Sequence, residues 1–198
     1  MGDTYDGRTG GQRAMDDHGS ARAKPSADVL ASAAKAAKGR GPAPVHLWDP
    51  PFCGDMDLVI RRDGTWIHEG TPIGRPGMVR LFASILKREG DAFFLVTPVE
   101  KVGIRVEDAP FVAVDVAATE AGIAFETNVG DRVVAGPDAP IRVAETDGEP
   151  APYVEVRRGL EALIDRKSFY RLVEMGEERD GWIVVSSRGA TFRLGRVG

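Results

Sequence analysis

The chain has 198 residues, with 26 lysines and arginines against 30 aspartates and glutamates for a formal net charge of −4, and it carries one cysteine. That length holds one ordinary domain or two small ones; a lone cysteine excludes an internal disulfide and a multi-cysteine zinc site, and mild acidity speaks against a nucleic-acid binder. No apolar run reaches the roughly eighteen residues of a membrane span, and Met1-Gly-Asp-Thr-Tyr-Asp6 lacks the basic and apolar regions of a secretory leader, so a cytoplasmic location is expected. Residues 1–44 stand apart. Residues 1–22 scatter Gly, Asp, Arg and Ser without period, as a disordered tail does. Ser26 then offers an N-cap, Val29, Leu30, Ala33 and Ala37 recur at helical spacing, and Lys35 and Lys38 precede Gly39. This predicts a short helix over 26–38 with a thin apolar stripe and a small share in the core, followed by the stiff linker Gly41-Pro-Ala-Pro44. Residues 1–44 hold seven basic and five acidic residues, which leaves the remainder at −6.

From Asp57 the pattern becomes regular. Asp57 to Arg62 and Thr65 to Glu69 read as two strands about Asp63-Gly64, a dipeptide suited to a type I′ turn. That turn would set Ile60 opposite Ile67 and Arg61 opposite Trp66. Pro76 opens a helix whose Met78, Leu81, Phe82, Ile85 and Leu86 form one buried stripe, with Gly90 as its stop. Phe93 to Thr97 and Val102 to Val106 follow as strands. A similar unit recurs after Val154: an Arg157-Arg158 pair before a turn at Gly159, a helix capped by Ser168 that carries Phe169, Leu172 and Val173, then Trp182 to Val185 and Ala190 to Leu194 as strands. Order and landmark residues agree as well as type, which favours duplication over a chance likeness of two small α+β units. Between the copies, 111–117, 122–128, 132–134 and 141–144 alternate as strands do, with Asp147-Gly148 among the turns. The expected fold class is α+β: two tandem related strand-strand-helix-strand-strand domains, 45–110 and 111–198, with mostly antiparallel sheets and a barrel-like C-terminal domain.

Chemistry-bearing candidates are few. Phosphate-loop, dinucleotide, His-Glu-x-x-His and Gly-x-Ser-x-Gly signatures are all missing, so no cofactor or metal is implied. Cys53 would serve as a nucleophile with His46 or His68 as base and Asp49 or Asp55 as orienter, but its acidic and aromatic neighbours would raise a thiol pKa. Asp55, Asp57 and His68 are better read as solvated or turn-capping than as metal ligands, and Trp48 and Phe52 as anchors on the core. Binding candidates cluster near turns. Arg75 lies at a helix N-terminus, where free amides favour anions; Arg80 follows on that helix, and Thr97, Glu100 and Lys101 belong to a strand-to-strand turn. Asn128, Arg166 and Arg171 would contribute from the second domain. The competing reading of these residues is an Arg/Glu network tying helix to sheet.

The strings HLWDPPFCGDMDLVI, GTWIHEGTPIGRPGMVRLFASILK and FFLVTPVEKVGIRVEDAPFVAVD resemble the bacterial domain-of-unknown-function family 1285, over about residues 45–198. The resemblance implies a duplicated two-domain core whose second half is superficially like a pleckstrin-homology domain. It also implies a small-ligand site at the domain interface, for a nucleotide-like molecule, and a part in signal transduction. It supplies no catalytic residue. The leading expectation is a non-enzymatic sensor or adaptor that holds an anionic small molecule in the interdomain cleft. Arg75, Arg80 and Lys101 would neutralise the anion, with Arg166 or Arg171 assisting and Thr97 and Asn128 orienting it. The alternatives are an enzyme using Cys53 and a protein-binding module that presents a sheet edge or the 26–38 helix.

Overall fold

Apolar residues recurring every second position generate most of this structure, a computed structural model that describes residues 26–37, 43–146 and 149–197. The tail expected over 1–22, the helix end and linker at 38–42, and the Asp147-Gly148 turn lie outside the described residues. The first helix, α1 (Ala27–Ala37), packs on the later helix of the N-terminal domain. Leu30 and Ala34 are wholly buried in the main core, so its share in the core exceeds the expectation.

A 3₁₀ turn at Val45–Leu47 leads into β1 (Phe52–Ile60), β2 (Trp66–His68) and β3 (Thr71–Pro72). Then come α2 (Pro76–Ser84), β4 (Leu86–Glu89), β5 (Ala92–Val96) and β6 (Lys101–Val106). The sheet order is β3-β2-β1-β6-β5-β4, antiparallel except for β1 beside β6. Phe82 of α2 is fully buried and stacks on Trp66 with 6.4 Å between ring centroids, a burial worth about 2–3 kcal/mol.

Three expectations for this half need correction. The first hairpin closes one residue out of the expected register: Ile60 pairs with Trp66 and Val59 with Ile67. The turn is a three-residue loop, in which the Gly64 amide donates to the Arg61 carbonyl and the Arg61 amide to the Thr65 carbonyl. Asp63 accepts from the Thr65 amide at 2.8 Å, and that bond holds its carboxyl below the usual range. Gly64, at φ 83°, supplies the left-handed residue that this loop places last. The second correction concerns α2, which stops at Ser84, because Leu86 pairs with Leu95 to open a hairpin whose turn holds Gly90. Ile85 and Leu86 remain buried as expected, on a cap and a strand. Phe52 is 49% exposed and meets Phe94 edge to face, so it anchors less than expected.

The second half starts with β7 (Phe111–Thr119), β8 (Gly122–Thr127), β9 (Arg132–Val134) and β10 (Ile141–Thr146). It continues with β11 (Glu149–Arg157), β12 (Leu160–Ile164), α3 (Arg166–Glu174), β13 (Glu177–Arg179), β14 (Trp182–Ser187) and β15 (Ala190–Arg196). Asp165, not Ser168, caps α3, accepting from the Ser168 amide at 2.7 Å. Six strands form an open sheet, β10-β11-β12-β7-β8-β9, and β13-β14-β15 form a separate one packed on it, so the described residues form no closed barrel. The two tandem domains are each mostly antiparallel with few helices, and the order of hairpin, helix and hairpin recurs in both. Their pairing differs: β6 joins β1 in one sheet, whereas β15 stays apart from β11. One continuous apolar core runs through both domains. No helix among the described residues is long and apolar enough to cross a membrane.

Candidate anion-binding site

The expected ligand residues do not converge on one place. Thr97 is fully buried and committed to its own turn, where its hydroxyl oxygen accepts from the Glu100 amide at 3.1 Å. Glu100 half-closes the same turn, with Oε2 buried and without a hydrogen-bond partner among the described residues. Lys101 pairs with Glu89 at 3.0 Å and sits 5.2 Å over the Phe94 ring. Arg75 is exposed at the N-cap of α2 and makes no ion pair among the described residues. Arg80 and Asn128 line a cavity of about 230 Å³ with Gly64 and Trp66. Asn128 is spent on structure there: Oδ1 accepts from the Val112 amide at 3.0 Å and Nδ2 donates to the Gly64 carbonyl at 3.3 Å. Lys101 lies opposite Phe52 at the start of β1, while the Gly64 loop leaves its far end, roughly 26 Å away along the strand. One small ligand cannot touch both.

Arg166 and Arg171 are separate again. Arg166 donates to the Tyr170 hydroxyl at 3.0 Å, beside a cavity of about 360 Å³ that Pro150, Pro152 and Phe169 help to line. Arg171 is ion-paired with Asp115 of β7, and that pair lowers the Asp115 pKa. Cys53 donates its thiol hydrogen to the Pro51 carbonyl at 3.3 Å. His68 pairs with Leu58, five residues and about 16 Å further along β1, so it is no base for that thiol. Among the described residues no group of three His, Cys, Asp or Glu could hold a metal ion.

Cations do converge elsewhere. A cavity of about 410 Å³ opens between the domains, with His46, Lys87, Arg88, Arg157 and Arg158 on its walls. Its apolar floor comes from Val45, Leu86 and Leu160. No carboxylate lines it among the described residues. The β4 strand presents Lys87 and Arg88, the end of β11 presents Arg157, and the β11–β12 turn presents Arg158. That turn holds Arg158 at φ 44° and Gly159 at φ 77°, the two left-handed positions of a type I′ turn. Glu155 steadies it by accepting from the Gly159 amide at 2.8 Å.

Two reciprocal bonds tie the walls together. Arg88 of the first domain donates to the Gly159 carbonyl at 3.2 Å, and Arg157 of the second donates to the Ala83 carbonyl at 2.7 Å. Arg157 is also paired with Asp131 and lies 4.9 Å over the Phe111 ring. Arg88 faces Asp91 at 3.6 Å. Lys87 lies 2.9 Å from Glu89, whose carboxyl is held below its usual range by the hydrogen bonds of Lys87 and then Lys101. Arg158 has no carboxylate or hydrogen-bond partner among the described residues. Sequence reading missed this wall. The Arg157-Arg158 pair was visible as a repeat landmark, but Lys87 and Arg88 read as part of a helix, and nothing local joins residues about seventy apart.

Two family models match side by side: the N-terminal domain of DUF1285, a domain of unknown function, over residues 43–109, and the C-terminal domain of DUF1285, a protein of unknown function, over residues 110–194. A crystal structure of a DUF1285 family protein from Silicibacter pomeroyi DSS-3, at 2.50 Å resolution, is 63% identical. It aligns over 85% of this chain and 95% of its own with a TM-score of 0.79. A second, from Shewanella baltica OS155 at 1.40 Å, is 31% identical over 60% of this chain and 91% of its own, with a TM-score of 0.50. A search of curated proteins finds no match.

Proposed function

This chain belongs to the DUF1285 family, which brings no assigned activity with it, and we propose that it is a non-enzymatic module that holds a small anion in the cavity between its two domains. Function here has to be argued from the site, since fold alone carries none. The observation that carries the reading is the lining: three arginines, a lysine and a histidine around an apolar floor, with no carboxylate facing in among the described residues. Charged donors in such a concave, partly dry site bind anions more strongly than the same groups on an open surface. The floor would take the apolar body of an organic anion, as a nucleotide-like ligand requires. A cytoplasmic sensor in signal transduction is the role that fits this ligand mode, with the C-terminal sheets as a pleckstrin-homology-like frame for one wall. Arg75, Arg80, Thr97, Glu100, Lys101, Asn128, Arg166 and Arg171 become supporting or unrelated residues in this reading.

The test is an amide NMR titration of the full chain with inorganic phosphate, at constant ionic strength. The amides of residues 86–88 and 157–160 should move together and saturate. If the largest shifts fall instead at Arg75, Arg80 or Thr97, or if none saturates, the cavity is not the site.

A further inference from the structure

The charge balance of the cavity wall specifies more than its sign. Arg157 is matched by Asp131, and Arg88 by Asp91. Lys87 and Lys101 share a single carboxylate, Glu89, with a lysine nitrogen near each of its oxygens. Glu89 and Lys101 lie outside the cavity lining, and Glu155 adds a carboxylate at the β11–β12 turn, where it accepts from the Gly159 amide. Arg158 is left as the lysine or arginine of the lining that no carboxylate pairs with among the described residues.

Resting on the anion-binding reading above, we propose that Arg158 is the residue that grips the anionic head of the ligand in this cavity. Arg88 and Arg157 are positioning residues. Their guanidiniums already donate to Gly159 and Ala83 across the interface and so fix the two walls. Arg158 is the cation in the wall whose donors remain free among the described residues, and it projects from the turn that Arg88 holds. Its backbone is costly where it stands. A left-handed φ of 44° suits asparagine or glycine, and an arginine there is strained. The Arg188-Gly189 turn has the same left-handed pair, at φ 50° and 80°, but lies outside the cavity lining. It is a control built into the chain.

The experiment compares wild type, Arg158→Asn and Arg188→Asn in thermal denaturation, with phosphate added at constant ionic strength and pH 8. Phosphate should raise the wild-type Tm. Arg158→Asn should melt about 2 °C higher without ligand, because the turn strain is relieved, and should bind phosphate about tenfold or more weakly. Arg188→Asn should keep the full phosphate response. An Arg158→Asn protein with an undiminished response overturns the assignment of Arg158 as the gripping residue while leaving the cavity as an anion site. A wild type that does not respond to phosphate overturns the anion-binding reading itself.

Discussion

The guanidinium of Arg157 donates to the Ala83 carbonyl at 2.7 Å, which sets a cation of the second domain on the C-terminal end of α2 in the first. A helix C-terminus carries partial negative charge and unsatisfied carbonyls, so an arginine serves both needs there. The same side chain pairs with Asp131, whose side chain is only 27% exposed. Arg157→Ala would strand that carboxylate and open the interface together, and should cost about 2–4 kcal/mol. Arg157→Lys should recover less than half, since one ammonium cannot replace a planar fork reaching two acceptors. Urea denaturation measures both. The transition should stay single, because one apolar core crosses the two domains.

Gly64 and Asn128 form a further tie between the domains. A β-carbon on Gly64 would come within 2.5 Å of Asn128 Nδ2 and 3.0 Å of a Val112 methyl, and φ is 83°. Asn128 can yield only by giving up its bond to the Gly64 carbonyl. Gly64→Ala should therefore destabilise by about 2–4 kcal/mol, part strain and part overpacking. Asn128→Ala alone should cost about 1–2 kcal/mol for the lost amide bonds. In the double variant the collision with the amide is gone, so the combined loss should be smaller than the two single losses added. A strictly additive cycle would mean that the two residues do not meet.

These ties show what a sequence can carry. A hairpin about Asp63-Gly64 is legible because Asp-Gly favours left-handed backbone, yet its register is not. The same dipeptide fits a two-residue and a three-residue loop, and Leu58, Val59 and Ile60 are all buried, which removes the alternation that would have chosen a face. The end of α2 was hidden for a similar reason. Ile85 and Leu86 are apolar whether they extend a helix or open a strand, and only pairing with Leu95 decides. Thr97 and Lys101 looked like ligand residues because a turn exposes polar side chains, but their own neighbours, Glu100 and Glu89, use them first. The cavity wall joins β4 to the β11–β12 turn, and that meeting is a product of tertiary packing alone.

Tyr153 lies at the same domain junction and has a distinct titration. Its hydroxyl donates to Asp108 at 2.8 Å; burial first, and then that bond, push its pKa to about 12. The folded value lies above the ordinary 10, so the bond contributes fully below pH 10, and its contribution is lost as pH rises from 10 towards 12. Absorbance at 295 nm should show one tyrosine ionising last, and Tyr153→Phe should delete that step. The variant should be about 1.5–3 kcal/mol less stable at pH 7, as for other hydrogen bonds to a charged group. If Tyr153→Phe leaves the late step in place, the high-pH group is another tyrosine.

Glu89 offers the opposite pH dependence. Lys87 at 2.9 Å and Lys101 at 3.0 Å both hold its carboxylate, and the folded pKa is depressed from 4.5. Its stabilising effect is therefore present above pH 4.5 and disappears as pH falls through the lower folded value. The side chain is 36% exposed, so solvent screens the pair and the effect is modest. Glu89→Gln should lower stability at pH 7, more at low salt than at high, and should match wild type in strong acid. It should also tighten phosphate binding, because Lys87 in the cavity wall then loses its carboxylate partner. Measuring stability and phosphate affinity on the same variant separates the two roles of this carboxylate: weaker folding with unchanged affinity would confine Glu89 to the sheet.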